Sequence, residues 1–461
     1  MTPPPSGMDR YTRPATDARD ETKGPPVQPP PLPPAEECDI LVIGGGPAGS
    51  TAAALLAERG EDVVLLEKEQ HPRFHIGESL LPKNLAILDR LGLRERVHEM
   101  GVLKPGAEFV DDRTGRRVAF PFALSLNDGS PHAYQVRRSE FDQMLFETAR
   151  ARGARAAEAT RVSEITLPRP GERARVVATG PEGETRVLAP RFVLDATGRD
   201  TLIAGQLGTK EANKHNSTAA VFAHYRGVER RGGDVEGYIS VHLVEDGWFW
   251  MIPLPGDVMS VGFVGDRPAF KGRRGGPDQL LDDRIRRSVT VSARMRGAER
   301  VTEVHSTGNY SYRARAAWGE GYHMIGDAFA FIDPVFSSGV LLAMTSGELG
   351  AGVASAWLRD PAAGRALARR AERTLRREMD GLGWLIYRIN TPVLRFLFMT
   401  PKNHLRMRDG VVSMLAGNLS LNPRTALPVL AFKAVYYAFS ALHRLGVAPM
   451  PDPHARPVAA E

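Results

Sequence analysis

Three glycines, Gly44, Gly46 and Gly49, lie where an apolar strand pattern changes into a helical one. In that position Gly44 permits a tight turn, Gly46 lets the backbone approach a diphosphate, and Gly49 lets the helix pack on the strand. The N-terminus of the helix, which includes Ala48, offers free N–H groups to the phosphates. Glu67 ends the next strand eighteen residues after Gly49, where a carboxylate can accept hydrogen bonds from a ribose. These residues predict a dinucleotide site in a βαβ unit.

Two later segments narrow the cofactor by resemblance. Asp195-Ala-Thr-Gly198 and Gly326-Asp327 each follow a strand pattern and resemble the downstream motifs of the flavoprotein hydroxylases, reductases and halogenases. The resemblance implies FAD, with Asp327 bonding the ribityl chain and Arg138 near the pyrophosphate. Without the resemblance, Asp327 is equally consistent with a helix N-cap and Arg138 with a surface ion pair.

An aromatic run, Trp248-Phe-Trp250-Met-Ile252-Pro253, places two tryptophans on one face of a strand. Such a pair is consistent with core packing, but the run resembles the WxWxIP signature of the flavin-dependent halogenases. The resemblance implies that Trp248 and Trp250 stand beside the flavin and keep organic substrate away from its oxygenated form. Oxidised halide, rather than a hydroxylated substrate, is then the expected product at the flavin.

A lysine, Lys104, follows the first βαβ unit in the segment Leu103-Lys-Pro-Gly-Ala-Glu-Phe109. A lysine before Pro-Gly is ordinarily a solvated turn residue. Its position resembles that of the halogenase lysine, which implies that Lys104 holds hypohalous acid and directs an electrophilic halogen at the substrate. Burial would favour this role, because it lowers the pKa of an ammonium group.

Two further stretches resemble paired segments of the phenol, pyrrole and carrier-bound-substrate halogenases: residues 73–82, with Arg73 and Ser79, and residues 332–341, with Pro334. The first is expected over the flavin ring, and the second is expected to hold halide on the backbone N–H groups of Ser338 and Gly339. A tight turn into a helix is the alternative for the second stretch.

The residue before that serine pair, Phe336, replaces the glutamate of the tryptophan halogenases. No carboxylate there can assist proton loss from an indole, which argues against free tryptophan. A phenol- or pyrrole-like ring, free or bound to an acyl carrier protein, is expected instead.

Composition limits the remaining functions. A charge of +6 over 461 residues, without a Lys/Arg block, does not indicate nucleic-acid binding. One cysteine, Cys38, cannot form an internal disulfide or a metal cluster, so we expect no metal site and a cytoplasmic location. The N-terminus lacks a secretory pattern, and no apolar run is expected to span a bilayer.

The expected fold class is α/β. Residues 1–36 contain eleven prolines and are expected to form a disordered tail. A Rossmann-type FAD-binding domain is expected over 37–345, interleaved with an antiparallel substrate sheet over about 107–135 and 205–305. A helical region is expected over 346–461. Residues 384–444 interleave apolar and basic residues, so they can serve as a lid over the substrate, as a peripheral membrane contact, or as a docking site for an acidic carrier protein.

The expected function is halogenation of an electron-rich aromatic by reduced flavin, O₂ and halide. No second dinucleotide fingerprint is present, so a separate flavin reductase is the expected source of FADH₂. The alternatives are a reductase of the geranylgeranyl reductase type, an FAD monooxygenase, and a non-catalytic flavin-binding scaffold in a biosynthetic complex.

Overall fold

The computed structural model describes residues 32–126, 129–213, 218–270, 275–308, 311–418 and 422–447. Its first sheet has the central strand order β19-β20-β10-β1-β2-β7, with β8 and β9 attached through β10. The strand pairs β1–β2, β1–β10, β2–β7 and β10–β20 are parallel. The strands are β1 (Glu36–Ile43), β2 (Val63–Leu66), β7 (Arg155–Ala157), β8 (Arg161–Thr166), β9 (Arg175–Thr179), β10 (Thr185–Asp195), β19 (Trp318–Gly319) and β20 (Tyr322–Met324).

A second sheet has the order β16-β12-β15-β14-β13-β4-β5, with β17 paired to β12. The sheet was expected to be antiparallel, but β4 and β13 pair in parallel. This is because β4 comes from an earlier part of the chain and joins the edge of the later hairpin. The strands are β4 (Gly106–Asp111), β5 (Arg117–Pro121), β12 (Thr218–Arg226), β13 (Ile239–Val244), β14 (Gly247–Leu254), β15 (Val258–Asp266), β16 (Glu299–Arg300) and β17 (His305–Gly308).

The two faces of this second sheet bury different residues because side chains alternate along each strand. Phe249 and Phe263 pack into a separate hydrophobic core with Leu281. Trp248 and Trp250 belong to the main core. Two small sheets complete the β structure: β3 (Val102–Lys104) with β6 (Ala133–Gln135), and β11 (Lys210–Ala212), β18 (Tyr312–Ala314) and β21 (Ala330–Phe331).

Helices cover the first sheet and form the C-terminal region. They are α1 (Pro47–Glu58), α2 (Asn84–Arg90), α3 (Arg94–Met100), α4 (Arg138–Ala151), α5 (Leu202–Gln206), α6 (Arg267–Phe270), α7 (Pro277–Arg287), α8 (Val289–Arg294), α9 (Gly339–Arg359), α10 (Pro361–Ile386), α11 (Pro392–Met399), α12 (Met407–Leu415) and α13 (Pro423–Arg444). The helical region therefore begins at Gly339, earlier than expected. These elements confirm the α/β class.

Two sequence expectations require adjustment at the chain ends. The tail was expected to extend to residue 36, but β1 begins at Glu36, and residues 1–31 lie outside the described ranges. No apolar run long enough to span a membrane was expected. By length and composition alone, however, α13 is long and apolar enough to do so, with a mean hydropathy of 1.4 in its most apolar 18-residue window. Phe432 and Tyr436 on α13 are buried against the protein, so one face of the helix is a packing surface.

Candidate flavin site

A cavity of about 540 Å³ lies between the two sheets. Its wall brings together most of the residues singled out in the sequence, namely Gly44, Gly46, Ala48, Glu67, Arg73, Ser79, Arg138, Gly198, Trp248, Trp250, Asp327, Pro334 and Gly339. Four others, Gly49, Lys104, Asp195 and Ser338, lie outside the residues that line it. The same cavity therefore joins the glycine turn to the tryptophan pair.

Glycine is required at these three positions for different structural reasons. At Gly44, which has φ +111°, a Cβ would lie 2.2 Å from the Ala196 carbonyl oxygen. At Gly49 a Cβ would lie 1.9 Å from the carbonyl oxygen of Gly44, so helix α1 can approach the turn only without a side chain. A Cβ on Gly46 would meet nothing closer than Arg73 Nη2 at 3.6 Å. Gly46 therefore leaves open space on the cavity side, as a bound pyrophosphate requires.

Glu67 holds the turn in place. Its two carboxylate oxygens accept hydrogen bonds from the backbone N–H of Gly45 at 2.7 Å and of Glu69 at 2.9 Å. Arg73 Nη2 lies 3.5 Å from the same carboxylate. Glu67 thus fixes the glycine loop while its carboxylate still faces the cavity, where a ribose hydroxyl can approach.

Arg138 is buried at the start of α4 and donates two hydrogen bonds to Asp142, at 2.7 and 2.9 Å. It also donates to the Ile76 carbonyl oxygen at 2.8 Å, and Arg73 adds a third contact to Asp142 at 3.3 Å. Burial alone raises the pKa of Asp142, but the charge and hydrogen bonds of Arg138 hold it below its usual range. The N-cap position of this helix is Arg137, and no side chain caps it.

The two predicted aspartates are placed differently. Burial raises the pKa of Asp327 to about 6, against the opposing charges of Arg138 and Arg199, and its side chain lines the cavity. Asp195 turns inward and accepts hydrogen bonds from the Thr197 N–H and Oγ1 and from the Ile203 N–H. Asp195 therefore has a structural role in place of the predicted contact with the cofactor. Its carboxylate fixes the turn that contains Gly198, and Gly198 lines the cavity.

Trp248 and Trp250 form one wall of the cavity, with ring centroids 5.9 Å apart. Trp250 Nε1 donates to Ser260 Oγ at 3.1 Å, which fixes its ring on the sheet. The residue opposite on β15 is Gly262, where a Cβ would lie 2.1 Å from the Trp250 ring. The position of the Trp250 ring thus depends on a glycine across the strand pair.

Lys104 is 1% exposed and lies behind the cavity wall. Its Nζ donates to the Leu80 carbonyl oxygen at 2.8 Å and lies 5.2 Å from the centroid of the Phe122 ring. Burial lowers the pKa of Lys104 to about 7. This burial excludes the alternative interpretation of Lys104 as a solvated turn residue.

The predicted halide segment begins helix α9. Gly339 lines the cavity and Ser338 is the N-cap residue, fully buried, with an Oγ that has no hydrogen-bond partner within the described part of the chain. Phe336 stands in place of a glutamate in a buried aromatic cluster. Its ring centroid lies 6.2 Å from the ring centroids of both Phe109 and Phe398. The helix N-terminus is therefore directed at the cavity, and its neighbour is apolar.

A buried acid–histidine pair in this site was missed from the sequence. Glu78 lines the cavity at 1% exposure, and its Oε1 lies 2.9 Å from His224 Nε2. Its Oε2 has no hydrogen-bond partner among the residues described. Glu78 stands between two residues of the 73–82 stretch that were singled out, but His224 comes from β12, so no local pattern linked them.

A Rossmann βαβ unit, a glycine turn open at Gly46 and a long cavity lined by paired arginines define an FAD-binding flavoprotein. The family model described as "FAD binding domain" matches residues 37–355. The chain is 37% identical to a tryptophan 2-halogenase from Chondromyces crocatus over 68% of this chain and 60% of that one. It belongs to the flavin-dependent halogenase family, and binding of FAD, expected from the sequence, is confirmed at the level of that family.

Solved structures agree with this assignment. The myxobacterial chondrochloren halogenase CndH is 30% identical with a TM-score of 0.73, covering 92% of this chain and all of that one. A flavoprotein/dehydrogenase from Cytophaga hutchinsonii is 29% identical with a TM-score of 0.78, covering 88% of this chain. The chain spans about 60% of the length of the tryptophan 2-halogenase.

Proposed function

We propose that this protein halogenates an electron-rich aromatic substrate, using reduced FAD, O₂ and halide. The observation that carries the proposal is the buried Lys104, whose Nζ donates to the carbonyl oxygen of Leu80, the chain neighbour of the cavity residue Ser79, and whose pKa is lowered by burial to about 7. A lysine with that pKa is present as both amine and ammonium near neutral pH. It can therefore donate a hydrogen bond to hypohalous acid or carry the halogen itself.

The residues of the cavity wall have separate proposed roles. Arg138, held by Asp142, would hold the diphosphate of FAD, Glu67 the adenosine ribose, and Asp327 the ribityl chain. Bound FAD, once reduced, supplies with O₂ the oxidising power that converts halide to hypohalous acid. The Ser338–Gly339 turn offers backbone N–H groups to the halide, since it is the N-terminus of a 21-residue helix.

The tryptophan pair separates the flavin from the substrate. Trp248 and Trp250 are 4% and 5% exposed and present large apolar surfaces to the cavity. Such rings exclude water and substrate from the flavin side. This separation is what distinguishes a halogenase from a monooxygenase, in which substrate touches the flavin directly.

The substrate is proposed to be a phenol- or pyrrole-like ring, free or bound to a carrier protein. The support is the apolar side chain of Phe336, which packs with Phe109 and Phe398 and leaves that position without a carboxylate base. A ring with an acidic O–H or N–H needs less help with proton loss than an indole. A separate flavin reductase is proposed to supply FADH₂, and a cytoplasmic location is consistent with a single buried cysteine.

The test is product analysis by mass spectrometry. The flavin-loaded protein, a flavin reductase, NADH, O₂ and bromide are incubated with a phenol, a pyrrole, their carrier-bound forms and tryptophan. The proposal expects a brominated phenol or pyrrole and bromide-dependent trapping of hypohalous acid. Reduction of a polyene without oxidised halide supports the reductase instead. A hydroxylated ring supports the monooxygenase, and bound FAD without turnover supports the scaffold.

A further inference from the structure

Helix α13 has apolar residues both on the face that packs on the protein and on the face that is exposed to solvent. Its inner face, with Val429, Phe432 and Tyr436, packs on the protein. Its outer face is also apolar: among the described residues the large hydrophobic side chains exposed on and just after this helix are Leu427, Leu430, Tyr437, Leu442, Leu445 and Val447. Leu427 and Leu445 are 70% and 76% exposed. A patch of this kind marks an interaction surface.

The spacing makes this one stripe. Leu427, Leu430, Ala434, Tyr437, Ala441 and Leu445 recur at intervals of three and four residues and are all exposed. They therefore lie along one side of the helix. In the most apolar 18-residue window of α13 only 28% of the residues are buried. The helix thus exposes a continuous apolar ridge about five turns long to solvent.

The charges around the ridge are predominantly positive. Residues 381–447 contain eight Lys and Arg side chains and one acid, Asp409. A turn next to α13 exposes Lys402, His404 and Arg406 and, between them, Leu405 at 74% exposure with a left-handed backbone. Arg444 is exposed at the far end of the ridge. Cations thus lie beside the apolar ridge at two places, the 402–406 turn and Arg444. This arrangement suits binding to an extended anionic surface.

The aromatic residues beside the ridge also suit a membrane. Trp384 Nε1 donates to the Tyr437 hydroxyl at 2.9 Å, and Lys433 Nζ lies 5.0 Å from the centroid of the Trp384 ring. Tyr387 nearby is 43% exposed. Tryptophan, tyrosine and basic side chains with long stems are the residues that favour the boundary between lipid headgroups and acyl chains.

From this surface we infer that α13 docks the protein on anionic lipid bilayers. The helix lies on the membrane and does not cross it, because its inner face is already packed on the protein. The ridge inserts Leu427, Leu430 and Leu445 among the acyl chains. Lys402 and Arg444 meet the phosphate headgroups, whereas Arg406 is paired with Asp409 at 3.3 Å. An acidic protein is a less good fit, since Leu427, Leu430 and Tyr437 carry no charge and Lys433 beside them lies over the Trp384 ring. A second copy of this chain would bring like charges together, since residues 381–447 contain eight Lys and Arg side chains and one acid.

The experiment is vesicle co-sedimentation of the full-length, flavin-loaded protein. Vesicles of phosphatidylcholine mixed with phosphatidylglycerol are compared with phosphatidylcholine alone, at low and high salt. The inference expects binding to the anionic vesicles that weakens with salt. The variant carrying Leu427→Gln and Leu430→Gln should bind about tenfold or more weakly, because each leucine loses its transfer to lipid. Lys402→Glu with Arg444→Glu should remove the preference for anionic lipid.

Matched controls separate docking from folding. Val289→Gln changes a residue 72% exposed on α8, away from the ridge, and should leave vesicle binding unchanged. All variants should keep their FAD absorbance and melting temperature, since the altered side chains are exposed. The inference is overturned if the parent protein does not bind anionic vesicles, or if the leucine variant binds as well as the parent. It is also overturned if light scattering shows a dimer that the leucine variant separates without any vesicle binding. Halogenation enters none of these readouts, so failure here leaves the proposed function untouched.

Discussion

Lys104 Nζ donates a hydrogen bond to the carbonyl oxygen of Leu80, the residue that follows Ser79 in the cavity wall. The lysine is therefore fixed next to the cavity wall, at 1% exposure. This contact links the burial of Lys104, its lowered pKa and its proposed work on the substrate side.

The buried lysine predicts a pH dependence of stability. Burial lowers the pKa of Lys104 to about 7 from the ordinary value near 10.5. Between these two values the unfolded chain binds a proton that the folded chain does not, so this lysine makes stability rise with pH across that window. Below about pH 7 its unfavourable contribution is at its largest and constant. Lys104→Met should remove this dependence.

The measurement is chemical denaturation of parent and Lys104→Met over the same pH series. The difference in unfolding free energy between them should favour the variant most at pH 7 and shrink as pH rises toward 10.5. Taking the difference cancels the other titrating groups. A difference that does not change with pH would show that the lysine is not desolvated in the folded protein.

The glycine turn predicts that two glycine substitutions fail for different reasons. Gly46→Val should fold normally, because nothing in the protein crowds a Cβ there, but it should weaken FAD binding by about a hundredfold or more. Gly44→Ala should lose stability outright, since its Cβ would collide with the Ala196 carbonyl oxygen at 2.2 Å and its φ is +111°.

Flavin titration and thermal denaturation of the apoproteins measure the two effects. Gly205→Val is the control, because a Cβ at Gly205 also meets open space but lies away from the cavity. A Gly46→Val protein that is purified yellow, with unchanged affinity, would remove the turn from the flavin site.

Asp142 is predicted to support the cofactor through Arg138. Asp142→Asn leaves the size of the side chain unchanged but removes the charge that holds the buried Arg138 and contacts Arg73. Breaking one partner of a buried pair costs on the order of 3 kcal/mol. Both the unfolding free energy and the affinity for FAD should fall. Glu140→Gln, which alters a side chain 44% exposed in the first turn of the same helix, should change neither.

The sequence identified the parts of the site that depend on local spacing. The glycine turn, Glu67 and the tryptophan alternation on β14 are all contained in short segments, and each lines the cavity. Asp142 was visible only as an acid near the start of α4; its four-residue spacing from Arg138 was the available signal for the pair. The Glu78–His224 contact could not be found this way, because it forms only when the second sheet closes over the 73–82 stretch.

Asp195 shows the opposite error. Its motif was recognised, but the carboxylate is used by the backbone of its own turn and never reaches the cavity. The parallel pairing of β4 with β13 was also outside local reasoning, because alternation along a strand sets which face is buried and does not fix the direction of its neighbour.

The tail is predicted to contribute nothing to the folded site. Deleting residues 1–31, rich in proline and without apolar periodicity, should leave FAD content unchanged and the melting temperature within about 2 °C. The deletion must stop before Glu36, which pairs with Arg186 at 2.8 Å. Thermal denaturation with flavin fluorescence measures both, and a clear loss of stability would mean that the tail packs on the domain.

The most direct test of the central claim compares Lys104→Met with Trp248→Phe and the parent enzyme in one assay. Bound FAD, oxygen uptake, hypohalous acid captured by a chlorodimedone-type trap, and halogenated product are measured together. We expect Lys104→Met to keep FAD, oxygen uptake and trapped hypohalous acid while losing halogenated product by about a hundredfold or more. Trp248→Phe should change the yield of hypohalous acid itself. Full product formation by Lys104→Met would contradict the account.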